Sequence, residues 1–173
     1  TFFAFVSSWL SILKKLCYNE PSEKQAITDG ICFSNSEKRE QSDYMQTLNQ
    51  DIKNNDFKRV YLLFGEEAFL KKSYKNRLRE AITQGDTMNY NYYEGKGMNV
   101  NEIISLSDTM PFFAEKRLIL MEDSGWFKGG SGADEMSAYI ENIPDTTCLL
   151  FIETEVDKRS RMYKAVKKYG HIA

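Results

Sequence analysis

The chain has 173 residues, of which 42% are hydrophobic and 28% charged, and its formal net charge is −2. This length suffices for one domain with a hydrophobic core, and the near-neutral charge excludes a basic, nucleic-acid-binding character of the chain as a whole. A single histidine, His171, and the absence of any C-x-x-C spacing argue against a zinc site or a histidine-dependent triad, so no metal site is predicted. Three cysteines, expected as free apolar thiols, favour a reducing, cytoplasmic location; they are Cys17, Cys32 and Cys148.

The first 44 residues differ in composition from the rest. Residues 1–13 are apolar but too short for a spanning helix, which needs roughly 20 residues, and the lysines that follow them stand on the wrong side for a secretory signal. Residues 19–44 are polar without a sustained period, which favours a linker or disorder. We therefore expect Met45 to be the natural start and residues 1–44 to be a non-native or disordered extension. The alternative is a membrane-associating or docking arm.

The first predicted elements after Met45 are a short helix, a strand and a longer helix. Residues 47–56 suit the short helix, and the β-rich apolar run 58–64 suits a strand covered on both faces. An amphipathic helix is predicted over residues 66–82, because apolar side chains recur there every four residues. They are Leu70, Tyr74, Leu78 and Ile82.

The middle of the chain continues the alternation of predicted strands and helices. Residues 88–93 predict a second strand, and the Gly-Lys-Gly sequence of residues 95–97 predicts a turn. Asn99 predicts the start of a helix that Pro111 ends. Residues 117–121 predict a third strand.

The last part predicts two more helices around a fourth strand. A glycine-rich loop spans residues 127–132, a helix is expected over 134–143 and a strand over 148–152. Asp157 is expected to cap a final helix that runs to Tyr169, after which a further strand would be natural. The order predicts an α/β domain over residues 45–173, with a parallel sheet flanked by helices on both faces. Because the pattern breaks off there, we expect a fragment of a longer protein.

Residues 65–73 nearly match a phosphate-binding loop of the pattern G-x-x-x-x-G-K-[ST]. Gly65 and Lys71 stand at the first glycine and the lysine, but Leu70 replaces the second glycine and Lys72 replaces the hydroxyl residue. The second glycine lets the backbone curl around phosphates, and the hydroxyl holds magnesium. The sequence thus predicts the architecture of a phosphate loop without its chemistry, and no cofactor.

Pairs of adjacent carboxylates are expected to be solvated charges rather than a catalytic acid and base. Glu66 and Glu67 stand where phosphates would bind and suit the positive end of the following helix. Two further pairs are Glu122/Asp123, which superficially resembles the acidic end of a Walker B strand, and Asp134/Glu135. No catalytic residue is predicted.

Three segments, read in order, resemble the bacterial DNA polymerase III delta subunit. Residues 59–70 (RVYLLFGEEAFL) resemble its first strand and loop, and residues 108–120 (DTMPFFAEKRLIL) resemble the segment with which this family opens the sliding clamp. Residues 151–164 (FIETEVDKRSRMYK) are similar to its fourth strand and following helix. The resemblance implies an AAA+-like (P-loop NTPase-type) N-terminal domain with a degenerate phosphate loop, followed in the family by a helical and a collar domain.

The resemblance also implies a function in DNA replication. The chain would be a clamp-loader subunit of the DNA polymerase III holoenzyme, beside tau/gamma and delta-prime subunits. It would bind the β sliding clamp and open its ring for loading on primed DNA, without catalysis of its own and without a membrane. The nucleotidyltransferase label belongs to the holoenzyme, because the acidic metal-binding constellation of a polymerase is not recognisable in this sequence.

The resemblance implies a clamp-binding wedge at residues 110–113. The family commonly has a Leu-Phe pair, which corresponds to Phe112 and Phe113 after Met110 and Pro111, so the first position departs from the pattern. If Pro111 ends the helix, both rings cannot lie on one buried helical face, and at least one is expected to be exposed. The charged residues that follow, 115–117, are expected to form a polar rim. The alternative is that the two rings pack the helix end onto the core.

Two other regions have open interpretations. The last helix is basic and predicts contact with DNA phosphates or a neighbouring subunit, or simply a solvated face; its cations are Lys158, Arg159, Arg161, Lys164, Lys167 and Lys168. Trp126 and Phe127 are expected in the core, with a second contact surface as the alternative.

Two rival functions follow from the sequence. A divergent P-loop ATPase would show magnesium-dependent binding of an ATP analogue that Lys71→Ala abolishes. A membrane-linked adaptor, anchored by residues 1–16, would sediment with liposomes until residues 1–44 are removed.

Overall fold

The computed structural model describes residues 35–173, with side chains from Tyr44 onward. The predictions for the apolar N-terminal stretch, for Cys17 and for Cys32 lie outside the described residues. The described residues form one compact unit.

Five parallel strands form one sheet in the order β2-β3-β4-β1-β5. The strands are β1 Val60–Phe64, β2 Tyr90–Glu94, β3 Arg117–Glu122, β4 Thr147–Glu153 and β5 His171–Ile172. The uninterrupted apolar runs form the three central strands, because a parallel strand covered by helices is buried on both faces. The strand expected after the last helix is β5, which pairs with β1 and includes His171.

Helices cover both faces of the sheet, as predicted. They are α1 Asn35–Asn54, α2 Ala68–Thr83, α3 Val100–Ser107, α4 Ala133–Tyr139 and α5 Arg161–Tyr169, with short 3-10 helices at Trp126–Lys128 and Ile140–Asn142. Leu48 of α1 and Leu78 of α2 belong to the core on one face. Ile103, Met136 and Val166, from α3, α4 and α5, belong to the core on the other.

Helix α1 begins earlier than the sequence indicated. The prediction that residues 35–44 are part of a linker or disordered segment is wrong, because they form the first half of a 20-residue helix. This half consists of polar residues, several of them good helix formers, so it lacks the apolar stripe by which a packed helix is recognised. That the natural chain starts at Met45 stays a prediction.

Helix α3 ends before the predicted position. It stops at Ser107, four residues before Pro111. The Ser107 hydroxyl donates to the carbonyl oxygen of Ile103 at 2.7 Å, and the Thr109 hydroxyl donates to that of Leu106 at 2.6 Å. The Thr109 hydroxyl thus satisfies a carbonyl of the last turn, and Pro111 lies outside the helix.

The cap of α5 also differs from the prediction. Ser160, not Asp157, is the N-cap, and its hydroxyl accepts from the Tyr163 N–H at 3.1 Å. Asp157 instead accepts from the backbone N–H and the guanidinium of Arg159. Both are good capping residue types, and the local turn decides between them.

Three other predictions are confirmed. Asn99 caps α3 by accepting from two backbone N–H groups, and residues 95–97 form a turn. Trp126 and Phe127 are buried in the core, where both rings meet Phe151 edge-on. The alternative of a contact surface at these two aromatic residues is therefore wrong.

Candidate functional site

The connection between β1 and α2 is too short for a phosphate loop. Only residues 65–67 link the two elements, since α2 already begins at Ala68. Leu70 and Lys71 are therefore helical, and the Lys71 N–H donates to the Glu67 carbonyl oxygen at 3.1 Å. A phosphate loop needs a longer connection between strand and helix, so that N–H groups of the loop and of the helix N-terminus can surround the phosphates.

The lysines near this turn bind acceptors of the protein itself. Lys71 Nζ donates to the Glu153 backbone carbonyl at 3.2 Å, and Lys75 Nζ lies 2.7 Å from Glu122 Oε2. The Tyr92 hydroxyl lies 2.6 Å from the same Glu122 oxygen. Burial raises the pKa of the Glu122 carboxyl, but the hydrogen bonds from Lys75 and Tyr92 outweigh it and hold the pKa below its ordinary value.

This end of the sheet does not fit a nucleoside triphosphate. Glu66 and Glu67 are exposed at the turn, where their carboxylates would repel phosphates, and Lys72 is exposed beside them. Glu122 is not simply solvated as expected, because it is half-buried and paired with Lys75. Among residues 35–173, no cluster of His, Cys, Asp or Glu has an arrangement that could hold a metal ion.

A buried carboxylate ends β4, which the sequence did not reveal. Glu153 accepts from the Ser124 backbone N–H at 3.0 Å and from the Ser124 hydroxyl. The Ser124 hydroxyl also accepts from the backbone N–H of Trp126 at 3.2 Å. Burial raises the pKa of Glu153 despite these hydrogen bonds. The group ties the end of β4 to the loop after β3, which is a structural role.

At the opposite end of the sheet, the loop between α3 and β3 presents apolar side chains to solvent. Phe113 is 95% exposed, Met110 is 77% exposed and Phe112 is 54% exposed, whereas Pro111 is half-buried. The two phenylalanine rings lie edge-to-face with centroids 4.4 Å apart. The predicted exposure is confirmed, and the alternative that both rings pack onto the core is wrong. We call residues 110–113 the aromatic loop.

The backbone of the aromatic loop is held by polar side chains from other segments. Arg117 donates to the Met110 carbonyl at 3.2 Å, and the Asn89 side chain bonds both the N–H and the carbonyl of Phe112. Lys116 Nζ donates to the carbonyl oxygens of Phe57 and Asp145 at 3.1 and 3.0 Å.

The predicted rim of charged side chains is only partly present. Glu115 is exposed, but Lys116 is half-buried and Arg117 is buried. Their side chains reach carbonyl oxygens of neighbouring loops, which turns them away from solvent.

A groove with both apolar and polar side chains in its lining adjoins the aromatic loop. The groove has a volume of about 660 Å³, and its lining includes Phe57, Ile82, Met88 and both phenylalanines of the loop. Met88 was predicted to lie in β2, but that strand begins at Tyr90, and the Met88 side chain is 67% exposed. Sequence patterns could not predict that Met88 is exposed beside the groove, because this depends on where β2 begins.

Six basic residues of α5 and the segment before it are all exposed: Lys158, Arg159, Arg161, Lys164, Lys167 and Lys168. Met162 and Val166 anchor the helix in the core from its other side. Arg161 pairs with Asp134 of α4 at 3.2 Å. The structure therefore leaves all six predicted cations accessible to solvent.

A family model described as "DNA polymerase III, delta subunit" matches residues 61–173, well over half of the chain. The chain belongs to this family. A relative of the same name, the DNA polymerase III subunit delta of Bacillus subtilis, is 24% identical over an alignment of 132 residues, and the match covers 70% of this chain and 38% of the relative. The chain thus spans about two-fifths of the length of this relative.

Solved structures show the same fold. The Bacillus subtilis DNA clamp loader delta protein matches with a TM-score of 0.65 at 20% identity, over 73% of this chain and 41% of that protein. A DNA polymerase III gamma subunit-related protein of Thermotoga maritima matches with a TM-score of 0.53 at 12% identity, over 75% of this chain and 45% of that protein. The delta-family chain therefore has the expected AAA+-like α/β fold. In residues 35–173, no helix combines the length and hydropathy of a membrane span.

Proposed function

We propose that this delta-family chain binds the β sliding clamp through the aromatic loop and holds one interface of the ring open for loading on primed DNA. The observation that carries the proposal is the exposed pair of Phe112 and Phe113 on a loop whose backbone is fixed by hydrogen bonds. Exposed aromatic anchors of this kind concentrate binding energy at interfaces. The family match, and the similarity to a protein described as a DNA clamp loader delta protein, support the sliding clamp as the proposed partner.

The free energy gained by burying the two phenylalanine rings is large compared with the total that a micromolar complex needs. Burying one phenylalanine in a partner contributes roughly 1.5–3 kcal/mol, and a micromolar complex needs about 8 kcal/mol. Two rings would supply a large share of that free energy. Met88 and Met110, both exposed around the rings, add apolar surface that adapts well to a partner.

The proposed role is mechanical and not catalytic. The short turn before α2 and the protein-bound lysines do not fit a triphosphate. In the proposed assembly, ATP hydrolysis is left to other subunits of the loader, and this chain acts beside tau/gamma and delta-prime subunits in the cytoplasm. The exposed basic residues of α5 support a contact with DNA phosphates or with a neighbouring subunit.

Calorimetric titration of the whole chain against the sliding clamp of the same organism tests the proposal. Wild type is compared with Phe112→Ala/Phe113→Ala and with Phe69→Ala. Phe69 is a matched control, because it is 80% exposed on α2 at the opposite end of the sheet. We expect binding to be lost in the double variant and retained in the control.

Folding of each variant is checked by circular dichroism. Equal binding by the wild type and the folded double variant would show that the contact lies elsewhere on the domain. A wild type that does not bind the clamp would refute the proposed function.

A further inference from the structure

The Asn89 side chain is fully buried and bonds both peptide groups of Phe112. Its Oδ1 accepts from the Phe112 N–H at 2.6 Å, and its Nδ2 donates to the Phe112 carbonyl at 2.7 Å. The same Nδ2 donates to Asp86 Oδ2 at 2.6 Å. Because a carboxylate only accepts hydrogen bonds, Asp86 fixes which end of the amide is the nitrogen. The backbone carbonyl of Asn89 accepts from the Leu118 N–H of β3 at 2.9 Å, which anchors this residue to the sheet.

The aromatic loop needs such an anchor. Burial of apolar surface is favourable, so a loop without fixed contacts would move to cover more of the exposed Phe112 and Phe113 rings. Phe113 also has a φ of +50°, in the left-handed region that a bulky residue rarely adopts. Such a conformation persists only where the surrounding structure fixes it, and the two hydrogen bonds to Phe112 fix the preceding residue.

We propose that Asn89 is the positioning residue of the aromatic loop: it holds Phe112 so that both rings face the clamp before the clamp binds. This inference rests on the proposed function. A loop held in its binding conformation loses less conformational entropy on association. Among the side chains of this length, only asparagine offers a donor and an acceptor at one planar end, which matches one residue's N–H and carbonyl.

Two variants separate the parts of this contact. Asn89→Ala removes both hydrogen bonds to Phe112. Asn89→Asp keeps the shape and the acceptor but removes the donor, and it places a carboxylate against Asp86 and the Phe112 carbonyl. Ser160→Ala is the control for general destabilisation, because it removes the cap of α5 at the opposite end of the sheet. All variants are made in the whole chain.

Two measurements are made on each variant. Amide hydrogen exchange by NMR reports the protection of the Phe112 N–H, and calorimetry reports the affinity for the sliding clamp. We expect the Phe112 amide to be protected in the wild type and to exchange about tenfold faster or more in Asn89→Ala, with about tenfold weaker clamp binding in both Asn89 variants. Ser160→Ala should change neither value.

A third comparison tests the coupling. In the Phe113→Ala background, Asn89→Ala should weaken clamp binding by a smaller factor than in the wild type, because one of the two rings that Asn89 positions is absent. Circular dichroism establishes which variants fold. If Asn89→Ala does not fold, the clamp affinity of the isosteric Asn89→Asp variant tests the inference.

The inference is overturned if the wild-type Phe112 amide exchanges as fast as a solvated amide. It is also overturned if the folded Asn89 variants bind the clamp as tightly as the wild type while Phe112→Ala/Phe113→Ala does not. A wild type that does not bind the clamp overturns the proposed function and this inference together. When the wild type binds and the folded Asn89 variants bind equally well, only this inference fails.

Discussion

The ammonium nitrogen of Lys71 lies 3.2 Å from the backbone carbonyl oxygen of Glu153, where β4 ends. In a phosphate loop, the lysine at this position meets the β and γ phosphates. Here it connects the first turn of α2 to the neighbouring strand of the sheet. Lysine at this position thus stabilises the fold, and its ammonium group is not available to bind the phosphates of a nucleotide.

Replacement of Lys71 by alanine is therefore expected to affect stability and not nucleotide binding. Loss of one partly buried hydrogen bond should lower the free energy of unfolding by about 1 kcal/mol. Urea denaturation of wild type and Lys71→Ala measures this difference. Titration with a fluorescent ATP analogue and magnesium should give no saturable binding in either protein. Magnesium-dependent binding that disappears in Lys71→Ala would support the rival ATPase.

The buried carboxyl of Glu153 predicts a pH dependence of stability. Its pKa in the folded protein is raised above the ordinary value of 4.5, mainly by burial. Between the unfolded and the folded pKa, the native state therefore binds more protons than the unfolded state, and this group makes stability rise as the pH falls. Above the folded pKa, burial of the charge is a cost.

Glu153→Gln isolates this contribution. The amide oxygen of glutamine still accepts from Ser124, but the side chain carries no charge. We expect the variant to be more stable than the wild type near neutral pH, and the difference in unfolding free energy to shrink as the pH falls toward 4.5. Urea denaturation across this pH range measures it. A difference that is independent of pH would contradict the raised pKa.

Much of the fold could be predicted because its signals are local. The uninterrupted apolar runs of β1, β3 and β4 identify strands buried on both faces, and the four-residue spacing in α2 identifies one helical stripe. The exposure of Phe112 and Phe113 could be predicted from two adjacent rings after a helix. Even there, the helix ends at Ser107, four residues before Pro111.

The contacts that shape the sites could not be predicted, because they join residues far apart in the chain. Asn89 meets Phe112 across 23 residues, and Ser124 meets Glu153 across 29. Nothing in the sequence around an isolated asparagine or glutamate indicates which loop it will reach. These pairings exist only once the sheet has brought the strand ends together.

Gly170, between α5 and β5, predicts a strong steric effect. A Cβ at this position would lie 2.5 Å from the carbonyl oxygen and 2.8 Å from the Cβ of Val60 in the central strand β1. Gly170→Ala must therefore push the connection between α5 and β5 away from β1, which should cost about 1–3 kcal/mol of unfolding free energy or more.

Gly85→Ala is the matched comparison. Gly85 has a φ of +84° and open space around its Cα, so alanine there meets backbone strain but no neighbour. This strain should cost about 1–2 kcal/mol. Chemical denaturation of both variants should show the larger loss for Gly170→Ala. An equal or smaller loss would mean that the contact between Gly170 and Val60 relaxes easily.

The exposed cations of α5 give a prediction about DNA. Lys164 and Lys167 both lie on the exposed side of this helix. If they contact phosphates, Lys164→Ala/Lys167→Ala should weaken binding to primed DNA and reduce the dependence of log K on log salt concentration by about 0.9 for each lost contact. Lys53→Ala/Lys72→Ala removes the same charge from exposed positions on α1 and α2 and should change the slope little. Fluorescence anisotropy over a range of salt concentrations measures both slopes. Identical slopes in the two double variants would exclude DNA contact by α5 and leave a neighbouring subunit as the proposed partner of this surface.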